Sequence, residues 1–214
     1  MNDVIFNNEK SAYYDWNIVL TRADIPLPSP KTLSVNIAGA DGVIDLSEVV
    51  SGDIKFNNRV IKLTFEMMDD TNYTSLISEM ANYFHGKLMT FHFENDDSWY
   101  WKGRAVINTW ECVRRLGKIV VTVDCDPYKY AINETSLMIT GSNNGGNIIL
   151  KNERKHICPE LVVTGTPTLI WNGVEYPLTS SVTQLINFVL GEGDNFIKVK
   201  GNGTVNIKYR QGCL

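Results

Sequence analysis

Hydrophobic and polar positions alternate most strictly in the first half of the chain, from Val60 to Met67. A period of two is typical of a half-buried β-strand, because successive side chains of a strand point to opposite faces of the sheet. The pattern therefore predicts a strand with one face toward a core. Shorter runs of the same kind predict two strands nearer the N-terminus, at Val4–Phe6 and Asn17–Thr21.

The spacing changes to that of a helix soon after this strand. Apolar residues recur at helical intervals, at Leu76, Ile77, Met80, Ala81 and Phe84. Because residues at this spacing lie on one face of an α-helix, the pattern predicts an amphipathic helix of about three turns. Thr74 or Ser75 can cap its start, and Gly86 followed by Lys87 supplies a stop signal.

Antiparallel strands are predicted after the helix. Leu88–Phe93 and Trp99–Asn108 form a first hairpin, and Trp110–Arg115 pairs with Ile119–Cys125 across Leu116-Gly117 in a second. Strands that are consecutive in sequence are usually neighbours in a sheet. The order therefore predicts an α+β domain built as strand, helix and β-meander.

Short strand-like runs separated by glycine-rich turns fill the rest of the chain. Such regular punctuation is typical of an antiparallel β-sandwich. Asn172-Gly173 predicts a type I′ hairpin, and Gly201–Gly203 predicts a second one between the last two strands. The predicted fold class is mainly β with one helix, with the α+β domain at 1–130 and the sandwich at 131–214.

Composition narrows the classes of function. The net charge is -4 at pH 7, and the chain lacks the clustered Lys and Arg that hold phosphates, so we expect no specific nucleic-acid binding. No apolar run of about eighteen residues or signal-peptide pattern occurs, so we expect synthesis in the cytoplasm and no membrane insertion. The four cysteines and three histidines show no metal-ligand spacing, so we expect reduced thiols, no metal and no cofactor.

Acidic residues are the candidate catalytic groups, at Asp69, Asp70, Glu94, Asp96 and Asp97. Glycoside hydrolysis needs two carboxyl groups that face each other across a cleft. These residues lie instead at the predicted helix start and at a hairpin tip, where acidic side chains serve helix capping and turn formation. We therefore expect no enzyme, and a cell-envelope glycoside hydrolase is kept as a last alternative.

Aromatic side chains offer a different alternative, a carbohydrate-binding module that aids adsorption to a host cell wall. The residues that could stack on sugar rings are Trp99, Trp101, Trp110, Trp171, Tyr73, Tyr83 and Tyr100. Aromatic residues at alternating strand positions, however, usually belong to a core or a subunit interface. We interpret them as core or interface residues.

The most informative local motif is AGADGVIDLS, from Ala38 to Ser47. Gly39 and Gly42 bracket Asp41 in a tight turn that needs an unusual backbone conformation, after which the chain re-enters an apolar segment. The segment IPLPSP, at Ile25–Pro30, precedes it. Its alternating prolines cannot donate to a β-ladder, which favours an extended arm over a central strand.

This series of features resembles the distal tail proteins of phages. The matching pieces are the proline-spaced segment, the GxDG turn, the single helix ending FHGK (Phe84–Lys87), the meander, the DPY junction (Asp126–Tyr128) and the closing GNGTVNIKYR (Gly201–Arg210). The turn departs from the family pattern, which more often has proline at the position of Ala38 and a basic residue at that of Ala40. Together the pieces span nearly the whole chain.

The resemblance implies a non-enzymatic virion structural protein of a tailed phage, prophage or phage-like particle. In the family, the first domain forms a six-membered ring and the second is a galectin-like sandwich outside it. The ring joins the major tail tube protein to the tail-associated hub or baseplate and, in many phages, to receptor-binding proteins. The resemblance thus implies a hexameric adapter that assembles in the host cytoplasm and ends at the tail tip.

Candidate subunit-interface residues follow from these features. They are Ile25, Pro26, Pro28 and Pro30 of the proline-spaced segment, Gly39, Asp41, Gly42 and Asp45 of the turn, and the basic pair Arg114 and Arg115. An extended arm can cross to a neighbouring subunit, and arginine is enriched at interfaces. The default interpretation of the basic pair is a solvated hairpin end.

Overall fold

The structure, a computed structural model, describes residues 3–67, 73–113, 116–142 and 145–214. It divides into two compact units, Met1–Lys129 with Leu214 and Tyr130–Cys213. Within the described ranges the fold is mainly β with a single α-helix and antiparallel sheets, which confirms the predicted fold class. None of the helices in the described ranges has the length and apolar character needed to cross a membrane.

Up to Cys125, the described residues of the first unit form nine β-strands, one α-helix and a short 3-10 helix at Glu94–Asp96. In chain order they are β1 (Val4–Phe6), β2 (Lys10–Ser11), β3 (Ile18–Asp24), β4 (Ser34–Val35), β5 (Ile44–Asp45), β6 (Arg59–Met67), α1 (Tyr73–Phe84), β7 (Leu88–Phe93), β8 (Trp99–Val113) and β9 (Leu116–Cys125). Seven of these strands follow one another in the order β2-β1-β7-β8-β9-β6-β3 within a larger antiparallel sheet, and β4 pairs with β5 separately.

The core of this unit lies between α1 and one face of the sheet. Strand β6 contributes to the sheet side of this core, since its alternating residues Ile61, Leu63 and Phe65 are fully buried. Met80 and Phe84 of α1 are fully buried against them. The strand and the helix predicted from periodicity are both confirmed, because each apolar stripe faces the same core.

The ends of α1 match the prediction in part. Gly86 has φ +77° and its N–H donates to the carbonyl oxygen of Ala105 at 2.7 Å, so the glycine ends the helix as expected. Thr74 and Ser75 lie inside the helix, so neither is the predicted cap. The acidic residues Asp69 and Asp70 lie outside the described residues.

The predicted pair of hairpins in the meander is wrong in two details. Trp99–Val113 is one continuous strand with an irregularity between Ile107 and Thr109, and β9 already begins at Leu116. Gly117 therefore lies inside a strand and not in a turn. A Cβ atom there would come within 2.6 Å of the Met67 sulfur and 2.7 Å of the Tyr73 ring, so close packing, and not turn geometry, explains this glycine.

All regular elements in the described residues of the second unit are strands, after β10 (Lys129–Ala131) at the boundary. They are β11 (Thr135–Thr140), β12 (Gly146–Asn152), β13 (Glu160–Trp171), β14 (Val174–Pro177), β15 (Gly193–Tyr209) and β16 (Gly212–Cys213). Strands β11 and β12 pair with different parts of β15. Strand β13 pairs with β15 on one side and with β14 on the other. Residues on both halves of β15, including Ile197 and Ile207, belong to one core, so this single sheet curls around it.

One predicted hairpin of this unit is confirmed and the other is wrong. Asn172 and Gly173 have φ of 49° and 79° and join β13 to β14, as a type I′ turn requires. Gly201 and Gly203, by contrast, lie within the continuous strand β15. Their positive φ values change the course of β15 without reversing it, and Gly165 of β13, also at positive φ, lies directly opposite Gly203.

The close approach of these two strands predicts a large difference between two similar substitutions. A Cβ atom at Gly203 would lie 2.1 Å from the carbonyl oxygen of Thr164, whereas one at Gly201 would find its nearest atom at 3.5 Å. We expect Gly203→Ala to lower the free energy of unfolding by about 2–4 kcal/mol, through overpacking and strain. Gly201→Ala, the matched control, adds strain alone and should cost about 1 kcal/mol. Equal losses in urea unfolding would contradict the role assigned to the close approach.

Candidate assembly surface

Residues 25–58 form a projection of the first unit, here called the arm. It leaves the sheet after β3 and returns at the start of β6. Its base is closed by backbone hydrogen bonds from Lys31 N–H to the Lys55 carbonyl at 2.7 Å and from Asn57 N–H to the Ser29 carbonyl at 2.9 Å. The proline-spaced segment therefore forms one side of the arm, as predicted for an extended element.

Farther out, the arm is a small antiparallel ladder. Ser34 pairs with Asp45 and Val35 with Ile44, and the Leu46 N–H donates to the Leu33 carbonyl at 2.8 Å. Two side-chain contacts reinforce it. The Ser47 hydroxyl accepts from the Leu33 N–H at 2.9 Å and donates to an Asp45 carboxylate oxygen at 2.5 Å. The hydrogen bonds from Ser47 lower the pKa of Asp45.

The tip of the arm is the predicted GxDG turn. Gly39 and Gly42 have φ of 87° and 76°, which confirms the unusual backbone conformation and explains why glycine occupies both positions. The Ala40 N–H donates to the Ile37 carbonyl at 3.1 Å and closes the tip. Asp41 is exposed between the two glycines.

The arm is anchored to the sheet at its base by the buried side chain of Arg59. One guanidinium nitrogen donates to the Pro26 carbonyl at 3.3 Å and another donates to the Pro127 carbonyl. The guanidinium also lies 4.3 Å from the centre of the Trp101 ring, a favourable cation–π distance. Arg59 thus joins the proline-spaced segment to the DPY junction, a link that only the structure reveals.

Exposed apolar side chains are concentrated on the arm. Nine large hydrophobic residues between positions 25 and 50 are exposed: Ile25, Leu27, Leu33, Val35, Ile37, Val43, Ile44, Val49 and Val50. No residue of the arm, all of which the structure describes, belongs to either hydrophobic core. Val43 and Ile44, which begin the apolar segment after the turn, are 63% and 49% exposed. Contiguous exposed apolar surface marks interaction sites.

The structure brings two separately predicted groups of candidate interface residues together on this arm. Ile25, Pro26 and Pro30 are exposed near its base, whereas Pro28 is buried. Gly39, Asp41, Gly42 and Asp45 are exposed at and near the tip, on the same projection. Arg114 and Arg115 lie outside the described residues. The sequence analysis did not identify the apolar residues of the arm as interface candidates. The signal that could have identified them is the number of apolar residues in a segment rich in glycine and proline.

Of the acidic residues considered for catalysis, Asp96 has a clear structural partner at the hairpin tip. Glu94 and Asp96 belong to the short 3-10 helix, and an Asp96 carboxylate oxygen accepts a hydrogen bond from the Lys129 ammonium at 2.8 Å. Within the described ranges, no group of three or more His, Cys, Asp or Glu residues is arranged to hold a metal ion. Burial raises the pKa of the Cys125 thiol to about 12, so it stays protonated at neutral pH.

Three of the seven aromatic residues singled out from sequence are core residues. Tyr73, Trp101 and Trp171 are buried, and Trp171 packs edge-on against Phe188 at 5.3 Å between ring centroids. Tyr83, Trp99 and Tyr100 are half-buried. Trp110 is the exception at 54% exposed, with its ring centroid 5.8 Å from that of Tyr73.

Comparisons with known proteins identify the fold through structure and not through sequence. No family model matches the chain, and no curated protein matches it in sequence. Among solved structures, the chain is similar to the crystal structure of the Dit protein of phage SPP1, described as a paradigm of the hub adsorption apparatus in phages that infect Gram-positive bacteria. The TM-score is 0.64 at 12% identity, over 98% of this chain and 99% of that one. The chain therefore has the fold of a phage distal tail protein.

Proposed function

We propose that the chain is a structural component of a phage tail tip. The single observation that carries this proposal is a fold match covering nearly all of both chains, with a protein of a phage hub adsorption apparatus. The proposed role is that of an adapter between the major tail tube protein and the tail-associated hub or baseplate, with receptor-binding proteins as further partners.

The adapter works, in this proposal, as a closed ring of identical subunits, with six as the expected number. A cyclic ring uses two different surfaces of each subunit and closes without leaving either surface free. The arm supplies one of these surfaces. Its exposed apolar residues have no core to join within their own chain, and burying them against a neighbour removes that apolar area from water.

Charge supports the arm as a contact to protein rather than to nucleic acid. Its charged residues are Lys31, Asp41, Asp45, Glu48, Asp53 and Lys55. The four acidic residues outnumber the two basic ones, and the whole chain is also acidic. A surface of this composition repels a phosphate backbone, as is suitable for a ring through which DNA passes.

Labelling of intact particles tests the proposed location. Antibodies raised against the chain, bound to purified particles and viewed by electron microscopy, should mark the tail end that lies away from the capsid. Particles assembled without the gene should lack the label and should end in an incomplete tail tip. Label along the tail shaft or on the capsid, or complete tail tips without the protein, would contradict the adapter role.

A further inference from the structure

The solvent-facing side of the sheet in the second unit contains an open depression of about 710 Å³. It is lined by residues of β12, β13 and β15 and by the turn at Asn172-Gly173. It lies in the second unit, whereas the arm belongs to the first. Any function of this depression is therefore additional to the proposed ring.

An exposed aromatic ring forms the apolar part of the depression. Phe196 is 68% exposed and pairs directly across the sheet with Ile149, which is 48% exposed. Ile170 of β13 adds a third apolar side chain. Of the eight phenylalanines, all of which the structure describes, Phe196 alone is exposed. A large aromatic side chain on a strand is normally covered, so its position in a concave surface points to a ligand.

Polar groups surround this apolar patch. Asn147 pairs across the sheet with Lys198, and Asn172 lies in the adjoining turn. Among the described residues, the structure gives these three side chains no hydrogen-bonding or ionic partner. Each amide offers two donors and an acceptor, and the ammonium offers three donors. The heads of all three side chains are therefore available to a ligand.

The side chain of Lys198 runs alongside the backbone of Gly145. A Cβ atom at Gly145, which has φ +80°, would lie 2.0 Å from Lys198 Cε. The aliphatic stem thus packs against a bare glycine backbone, where any larger residue would displace it.

The size and chemistry of the depression select the class of ligand. Nine residues line it, far fewer than the roughly 20–30 residues that each side of a standard protein interface uses. A small ligand is therefore favoured over a folded partner. The lining residues include no carboxylate and only one cation, which disfavours metal ions and multiply charged phosphates.

We propose that this depression binds a saccharide. The apolar C–H face of a sugar ring can stack on Phe196 and Ile149, while its hydroxyl groups exchange hydrogen bonds with the amides of Asn147 and Asn172. Lys198 can donate to a hydroxyl or a carboxylate of the sugar. Because the site is open and contains a single aromatic ring, we expect weak binding, with a Kd of about 1 mM for one disaccharide.

The test uses the full chain and two kinds of probe. A printed array of bacterial and mammalian glycans identifies the preferred sugars, and saturation-transfer NMR then titrates the best of them beside cellobiose and diacetylchitobiose. We expect saturation transfer concentrated on the protons of one sugar face. Phe196→Ala should raise the Kd at least about tenfold, and Asn147→Ala should also raise it. Phe196→Tyr, which keeps the ring, should bind like the unchanged protein.

Met138→Ala is the matched control, because Met138 is 69% exposed on β11 of the same sheet and does not line the depression. It should leave binding unchanged. All four variants alter exposed positions, and thermal unfolding should show that each of them folds. Absence of binding to any glycan of the array, binding that survives Phe196→Ala, or equal loss in Met138→Ala would overturn the proposal. None of these outcomes depends on ring formation, so they leave the adapter role unaffected.

Discussion

Replacing residues 32–54 with a short Asn-Gly turn should give a folded protein that no longer self-associates. The cut ends lie side by side, since the Lys31 N–H donates to the Lys55 carbonyl at 2.7 Å, so a tight turn can join them. The replacement removes seven of the nine exposed apolar residues of the arm and no core residue. We expect thermal unfolding close to that of the full chain and a monomeric mass by light scattering.

The same replacement separates assembly from folding because Pro26, Pro28 and Arg59 remain. Arg59 keeps its hydrogen bonds to the carbonyl groups of Pro26 and Pro127, so the base of the arm stays anchored. A shortened protein that still assembles into a ring would refute the arm's role. A shortened protein that fails to fold would show that the arm belongs to the structural core of its own subunit, against the burial found here.

Point substitutions on the arm should weaken assembly without changing the fold. Leu27, Val43 and Val50 are 78%, 63% and 94% exposed, so aspartate at all three positions costs the isolated subunit little. Each side chain that becomes buried between subunits contributes about 1.5–3 kcal/mol. Even if only one of the three is fully buried in the ring, the loss together with the added charge should raise the Kd for assembly about 100-fold or more.

A matched triple substitution provides the control. Met138, Val174 and Ile186 of the second unit are 69%, 51% and 89% exposed, and aspartate at these positions adds the same charge and removes a similar apolar area. Sedimentation velocity over a concentration series should show the control assembling like the unchanged protein. Equal weakening by both triples would mean that net charge, and not the arm, determines association.

The elements best predicted from sequence are those in which the spacing of apolar residues matches the buried face. Ile61, Leu63 and Phe65 alternate in β6 because one face of that strand meets the core, and Met80 and Phe84 recur in α1 for the same reason. Asn172-Gly173 was equally predictable, because both residues tolerate the positive φ of a type I′ turn.

Glycines that serve close packing were misinterpreted as turns. Gly201–Gly203 has the composition of a hairpin loop, yet it lies within β15, where Gly203 meets Gly165 of the neighbouring strand. Gly117 lies within β9 beneath Met67. In each case a residue distant in sequence requires glycine at that position, so local composition does not indicate the requirement.

The candidate surface was predictable only in pieces. The proline-spaced segment and the GxDG turn each gave a local signal, but their union on one arm depends on the pairing of Ser34 with Asp45 and on the closure at Lys31 and Lys55. Apolar residues such as Val43 indicate that a surface is to be buried. They do not indicate whether the burying partner is the same chain or another one.

The mass of the full chain in solution tests the central claim most directly. Mass photometry and light scattering at rising concentration should be carried out on the protein alone and on a mixture with the tail-associated hub protein. A closed ring predicts one discrete species at six times the subunit mass of 24.1 kDa, either alone or on the hub. A strict monomer of 24.1 kDa under both conditions, or an open-ended series of growing species, would contradict it.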